Sequence, residues 1–266
     1  MALSIEPPLR AMARPRTGRA RLPRMAEIVA DALRDSILSG EITVLPRLEA
    51  LIDRFEVGPP AVREAMRILE TEGLITMRRG NVGGADVHLP TPDRVAYMVS
   101  LVLQAKSAEL GDVGAALRQL EPLCAAMCAA RADRGETVVP ELGRILEEQA
   151  DAVGDVPRTL RIVDRFHEAI VIGCGNETMV LMVGALERVW AGHASAVYDR
   201  VEVEAPTPSV WKASLREHER LLAAIERGDP RAGELALKHL EATHAYMSTV
   251  DERRIVTASL TAARWA

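Results

Sequence analysis

Once the chain passes its first two dozen residues, apolar positions recur at helical spacing. Ile28, Val29, Ala32, Leu33, Ile37 and Leu38 follow a 3.6-residue period from Met25, and Gly40 stands where a helix C-terminal cap belongs. Pro46 is placed to start a second helix, with Leu48, Leu51, Ile52 and Phe55 on one face. Glu56-Val57-Gly58 reads as a turn, Pro59-Pro60 opens a third helix carrying Ala61, Val62, Ala65, Ile68 and Leu69, and Gly73 ends it. The period then changes to two. Leu74 to Met77 reads as a short strand, residues 78–84 as a polar glycine-rich loop, and Ala85 to His88 as a returning strand. Three helices followed by a β-hairpin is the order of a winged helix-turn-helix.

Beyond Leu89-Pro90-Thr91-Pro92, which reads as a linker, the pattern is helical throughout. Segments are predicted near 92–109, 111–131, 138–152, 156–173, 176–199, 208–227 and 230–250, broken at glycines and prolines. The predicted fold is therefore mainly α: a winged helix-turn-helix joined to an antiparallel all-helical bundle. The predicted organisation is a basic arm over 1–22, the winged unit over 23–88, a linker over 89–95, the bundle over 96–250, and a frayed tail over 251–266.

Composition narrows the function classes. The 266 residues are 48% apolar but only 3% aromatic, which favours packed helices over sheets. Three cysteines, Cys124, Cys128 and Cys174, supply no disulfide framework and no CxxC pair, so a reducing cytoplasm is expected. Cys124 and Cys128 share a helix face, as core packers or as redox sensors. No apolar run spans a bilayer, and the N-terminus lacks the apolar core of a secretory signal. Net charge is −5, unevenly distributed: residues 1–95 carry +1 and the rest −6. Arg10, Arg14, Arg16, Arg19, Arg21 and Arg24 face only Glu6 in the first 26 residues. That arm is either a plain tail or a contact to phosphate or the minor groove.

The third helix has two chemically distinct faces. Val62, Ala65, Ile68 and Leu69 form a stripe to bury, while Arg63 and Arg67 lie one turn apart on the other side. An arginine can donate two hydrogen bonds to guanine or clamp a phosphate. Pro60 opens the same helix, and the loop residues Arg78, Arg79, Gly80 and Asn81 can approach a nucleic-acid backbone closely. The run FEVGPPAVREAMRILETEGL, residues 55–74, with RRGNVGG after it, resembles the GntR family of bacterial transcription regulators. The resemblance covers about residues 24–88. It implies double-stranded DNA as partner, read by Arg63, Arg67, Arg78, Arg79, Gly80, Asn81 and Pro60, with a homodimer on a pseudo-palindromic operator. Family members usually carry Ser or Thr followed by Arg where this chain has Gly58 and Pro59, so a different operator preference is expected.

The second half resembles the FCD domain of FadR-like members. The matching pieces are Arg118 to Pro122, Phe166-His167, Gly175-Asn176, HERLLAAIERGD at 218–229, and His239-Leu240. Many such domains hold a divalent metal through one Asp or Asn and three His, with a small carboxylate effector against it. His167, His218 and His239 fit that set. Their spacing supports it independently: His218 lies ten residues before Gly228 and His239 eleven after, so antiparallel helices would bring both rings to one height, roughly 15 Å from the turn. Zinc or nickel is the expected ion. The family's acid falls on Val163 here, and Asp164 either substitutes for it or faces solvent. Arg118 either pairs with an effector carboxylate or bridges to Glu121, and His193 is a further candidate lining residue. The expected function is a repressor controlled by a small effector, with small organic acids and acyl-CoA both open. One alternative keeps the DNA reader and uses the bundle for dimerisation alone. Another, a helical metalloenzyme, lacks any HExxH, nucleophile elbow or phosphate loop.

Overall fold

The computed structural model describes residues 24–78, 84–198, 207–251 and 253–262. The chain divides between Pro90 and Thr91 into two units. In the first, α1 (Met25–Leu38), α2 (Leu48–Phe55) and α3 (Pro59–Thr71) precede β2 (Ile75–Met77) and β3 (Ala85–Val87). A strand that hydropathy did not reveal, β1 (Val44–Leu45), completes an antiparallel sheet in the order β1-β3-β2. Two residues are too few to show a period, and Pro46 starts no helix because the chain stays extended until Leu48. Leu33, Ile37, Leu45, Leu51, Val62, Leu69 and Ile75 form a common core under the three helices and the sheet. Gly84 is needed where it stands: its φ is +81°, and a Cβ there would lie 2.5 Å from the Leu45 carbonyl oxygen.

The second unit holds α4 (Pro92–Ala105), α5 (Leu110–Ala130), the one-turn α6 (Arg134–Thr137), α7 (Val139–Ala152), α8 (Val156–Gly173), α9 (Glu177–Tyr198), α10 (Pro208–Arg227), α11 (Ala232–Asp251) and α12 (Ala258–Ala262). Helix α4 begins at Pro92, so the predicted linker over 89–95 is shorter than expected: Pro at the first helical position favours the start. Helix α5 runs through the centre, packed against α8, α9, α10 and α11. Leu117, Leu142, Ile145, Phe166, Ile170 and Leu221 are fully buried around it. Asp155 caps α8 by accepting from the Arg158 amide, and Asn176 caps α9 by accepting from the amides of Thr178 and Met179.

The tail predicted to fray is instead packed, at least over 253–262. Ile255 bridges to Glu109, the Leu110 amide donates to the Arg254 carbonyl, and the Val256 amide donates to the Ala108 carbonyl. Val256, Ala258 and Thr261 are buried. Two side chains cap the first turn of α12: the Thr257 amide donates to His193 Nε2 at 2.9 Å, and the Ala258 amide donates to Gln104 Oε1 at 2.8 Å. Gly192 lets α9 and α12 touch, since a Cβ there would sit 2.7 Å from the Leu260 carbonyl oxygen. Gly192→Ala should therefore lower stability by about 1–3 kcal/mol. It should also speed amide exchange over 253–262, and unchanged exchange there would show that this contact does not hold the tail.

Candidate functional site

Helix α3 carries one candidate surface. Val62, Ala65, Met66 and Leu69 turn inward, Met66 taking the buried place expected of Ile68, which is half-buried. Pro59, Pro60, Arg63, Glu64 and Arg67 are exposed. Arg67 donates to Glu64 at 2.9 and 2.6 Å, an exposed pair of small energetic worth. Arg63 has no such partner among the described residues. Arg78 reaches across the wing to Asp86 at 2.6 Å. Arg79, Gly80 and Asn81 lie outside the described residues, as does the arm over 1–22.

The second site lies inside the bundle, where α8, α10 and α11 bring His167, His218 and His239 together. All three are buried, and one ring nitrogen from each falls within 4.8 Å of the others. Each ring is held from behind. His167 Nδ1 lies 2.6 Å from Glu121 Oε1, His218 Nδ1 lies 2.8 Å from Gln149 Oε1, and His239 Nδ1 lies 2.7 Å from Glu217 Oε2. A carboxylate or amide oxygen can only accept, so each Nδ1 carries the hydrogen and donates. In a neutral ring the other nitrogen is then a bare lone pair. His218 Nε2 and His239 Nε2 nevertheless face each other at 2.9 Å. At that distance the two nitrogens share either a proton or a metal ion. Phe166 stacks on His218 with centroids 4.0 Å apart and fixes its ring plane.

Electrostatics separate the three rings. Burial, with the fields of His239 and His167, drives the His218 imidazole well below its usual pKa. Burial and His167 also lower His239, against the opposing pull of Glu217. Burial would lower His167 too, but the charge and hydrogen bond of Glu121, helped by Asp164, prevail and raise it. Burial works on Glu121 in the opposite sense, and the charge and hydrogen bond of His167 outweigh it, holding the carboxyl at about 2. Glu187, buried beside that carboxylate, is pushed well above the usual range by burial and by Glu121.

The orienting residues Glu121, Gln149 and Glu217 escaped the sequence reading, although two left a signal. Glu121 lies on the buried stripe Leu117-Glu121-Cys124-Cys128, and Gln149 on Leu142-Ile145-Leu146-Gln149-Ala152. A polar residue interrupting an apolar stripe needs a buried partner. Glu217 is adjacent to His218 in sequence but serves His239 on the facing helix, which no spacing rule reveals.

The remaining candidates fare differently. Asp164 is not in the histidine cluster. It lines a cavity of about 40 Å³ with Glu168, Glu187, Arg188 and Ala191. It stands three positions before His167 on α8, about 60° away around the helix. Arg118 is half-buried on α5, and Glu121 gives its oxygen to His167 rather than bridging back to Arg118. His193, expected to line the effector cavity, is instead fully buried as the cap of the C-terminal segment: Nδ1 lies 2.8 Å from the Val189 carbonyl and Nε2 accepts from Thr257. Cys124 and Cys128 are buried in the core, where burial pushes the Cys128 thiol up to about 12 and Cys124 higher still, so both act as packing groups.

Residues 25–82 match the family described as bacterial regulatory proteins of the gntR family, and residues 112–242 match the FCD domain. The chain belongs to the GntR family. It is a DNA-binding transcription regulator with a C-terminal FCD effector-binding domain. A Mycobacterium gastri protein described as an HTH-type transcriptional regulator, RmpR, is 26% identical over 227 residues, covering 81% of this chain and 77% of that protein. Streptococcus agalactiae GntR, a solved structure, shares the fold with a TM-score of 0.60 at 21% identity, covering 83% of this chain and 99% of that one. Escherichia coli McbR/YncC aligns with a TM-score of 0.43 at 14% identity, over 86% of this chain and 99% of that one. In this GntR-family chain the winged-helix match contains α3, and the FCD match contains all three histidines and their three orienting residues. No described helix is long and apolar enough to cross a membrane.

Proposed function

We propose that this regulator is a metal-centred sensor, a repressor whose hold on its operator is set by a small carboxylate in the FCD bundle. The observation that carries the reading is the convergence of three buried ring nitrogens, with His218 Nε2 and His239 Nε2 2.9 Å apart and His167 beside them, each ring held from behind through Nδ1. A shared divalent ion would satisfy all three nitrogens at once. His167, His218 and His239 would hold zinc or nickel, while Glu121, Gln149 and Glu217 fix ring orientation and tautomer. When bound, the ion supplies a Lewis-acid anchor for an oxygen ligand at its open positions. Arg118 serves as a second anchor for the effector carboxylate. Asp164 lines the neighbouring cavity, so among the described residues the three histidines are the ligands the site would offer.

At the other end of the chain, α3 enters the major groove of double-stranded DNA. Arg63 and Arg67 reach bases or phosphates, Pro60 packs at the groove edge, and the wing residues Arg78, Arg79, Gly80 and Asn81 follow the backbone. A homodimer places two reading helices on the two halves of a pseudo-palindrome. The protein works in the cytoplasm, where its operator and a metabolite effector meet.

The test uses a duplex selected from a random pool by the zinc-loaded protein. Small di- and tricarboxylates are then added at fixed salt. A binding carboxylate should weaken duplex affinity by about 5- to 150-fold in the wild type, the usual range of allosteric coupling, and leave His239→Ala unresponsive. If no carboxylate binds the metal-loaded protein by calorimetry, the bundle is a dimerisation module only.

A further inference from the structure

Arg188, on α9, connects three parts of the FCD unit. Its Nε donates to Asp93 Oδ1 at 2.7 Å, its Nη2 to Glu168 Oε1 at 2.7 Å, and its Nη1 to the Gly184 carbonyl at 3.3 Å. Asp93 is the second residue of α4, the helix whose first residue, Pro92, stands two positions after Pro90, where the DNA-reading unit ends. Glu168 follows His167 directly on α8. The same guanidinium borders the cavity formed with Asp164, Glu168, Glu187 and Ala191. The side chain is only 20% exposed, so these charge-assisted bonds are partly shielded from water.

Two short routes run from the histidine cluster to this arginine. The first is covalent. His167 and Glu168 are neighbours on one helix, so any shift of the α8 backbone that seats His167 on an ion also moves the Glu168 carboxylate. The second passes through side chains. Asp164, about one turn before His167 on α8, lines the same cavity as Arg188 and Glu187 of α9. Both routes end on a group whose other arm holds the first turn of α4.

From this we infer that Arg188 is the positioning residue that carries the state of the histidine site to the start of α4, by way of Asp93. The inference rests on the metal-sensor reading above. Neither Arg188 nor Asp93 belongs to the histidine cluster, so removing their bond should leave metal binding intact and sever its consequence. A contiguous network alone does not show coupling, so the element on which both sites act has to be watched directly. That element is α4's first two turns, 92–98.

The experiment uses the full-length protein and Zn²⁺ alone as the probe. Calorimetry gives zinc affinity, amide hydrogen exchange follows residues 92–98, and anisotropy follows the selected duplex. In the wild type, zinc should slow or speed exchange over 92–98 and change duplex affinity about 5-fold or more. Asp93→Asn and Arg188→Gln should bind zinc within about 2-fold of wild type, yet lose the response over 92–98, with the affinity change falling to about 2-fold or less. Asp93→Asn keeps the shape of the residue and guards against a failure of Arg188→Gln to fold. If both variants respond as the wild type does, or if wild-type α4 is unmoved by bound zinc, the role assigned to Arg188 is wrong while the metal site stands. If zinc does not bind the wild type, the sensor reading fails and this role falls with it.

Discussion

Arg63→Ala is expected to weaken binding to the selected operator by about 1–3 kcal/mol, or roughly 5- to 150-fold, with no loss of folding stability. The expectation follows from how the arginines of the DNA-reading unit are committed. Arg67 is tied to Glu64 and Arg78 to Asp86, each at 2.6 Å. Arg34 bridges α1 to Glu72 just beyond α3. Arg63 is exposed on α3, opposite the stripe Val62, Ala65, Met66 and Leu69, and has no ion pair among the described residues. Its guanidinium reaches DNA without first giving up a protein partner. Arg67→Ala should cost less, because the competing bond to Glu64 must be lost or shared. Anisotropy titrations at several salt concentrations separate two roles. A base contact relaxes preference at one operator position, whereas a phosphate contact weakens all sequences alike and lowers the salt slope by about one. Unchanged affinity in Arg63→Ala would remove α3 from the interface as drawn here.

Phe166→Ala has the largest expected effect on the bundle, a loss of about 3–5 kcal/mol in folding stability. Phe166 is fully buried where α5, α8 and α10 meet, so its removal leaves a cavity that the surrounding helices fill only in part. Against a typical total of about 5–15 kcal/mol, that is a large fraction. The ring also stacks on His218 at 4.0 Å and meets His167 edge-on at 6.1 Å. Its removal should therefore cost metal affinity as well, by about 10- to 100-fold, the scale for losing an outer-shell support. Urea unfolding reads the first quantity and zinc calorimetry the second. A stability loss under about 1 kcal/mol would mean that Phe166 is not the keystone its burial indicates.

Much of this architecture was legible because glycine and proline mark the helix ends. Gly40, Gly73 and Gly228 all have positive φ just past a helix, and Pro59, Pro92 and Pro208 each open one. The meeting of His218 and His239 followed from their near-equal distance to the Gly228 turn, with no need of tertiary detail. What stayed hidden depends on which helices become neighbours. Strand β1 gains its identity from pairing with β3, and the C-terminal segment from docking on α4 and α9. His193, expected to line the effector cavity, instead meets a backbone amide 64 residues away, a pairing that no sequence spacing reveals. Asp164 shares a helical face with His167 in sequence, but which side of α8 meets α10 and α11 and which meets α9 is set by tertiary packing, and Asp164 lines the cavity beside α9.

Everything proposed for the FCD bundle rests on its three buried histidines acting as a metal site. The most direct test is metal analysis of the purified protein and of His218→Ala, each after reconstitution with Zn²⁺ and Ni²⁺ and removal of excess ion. About one divalent ion per wild-type chain is expected, as for three ligands converging on one point, and none in the variant. A wild type that holds no ion, or a variant that holds as much, would contradict that expectation.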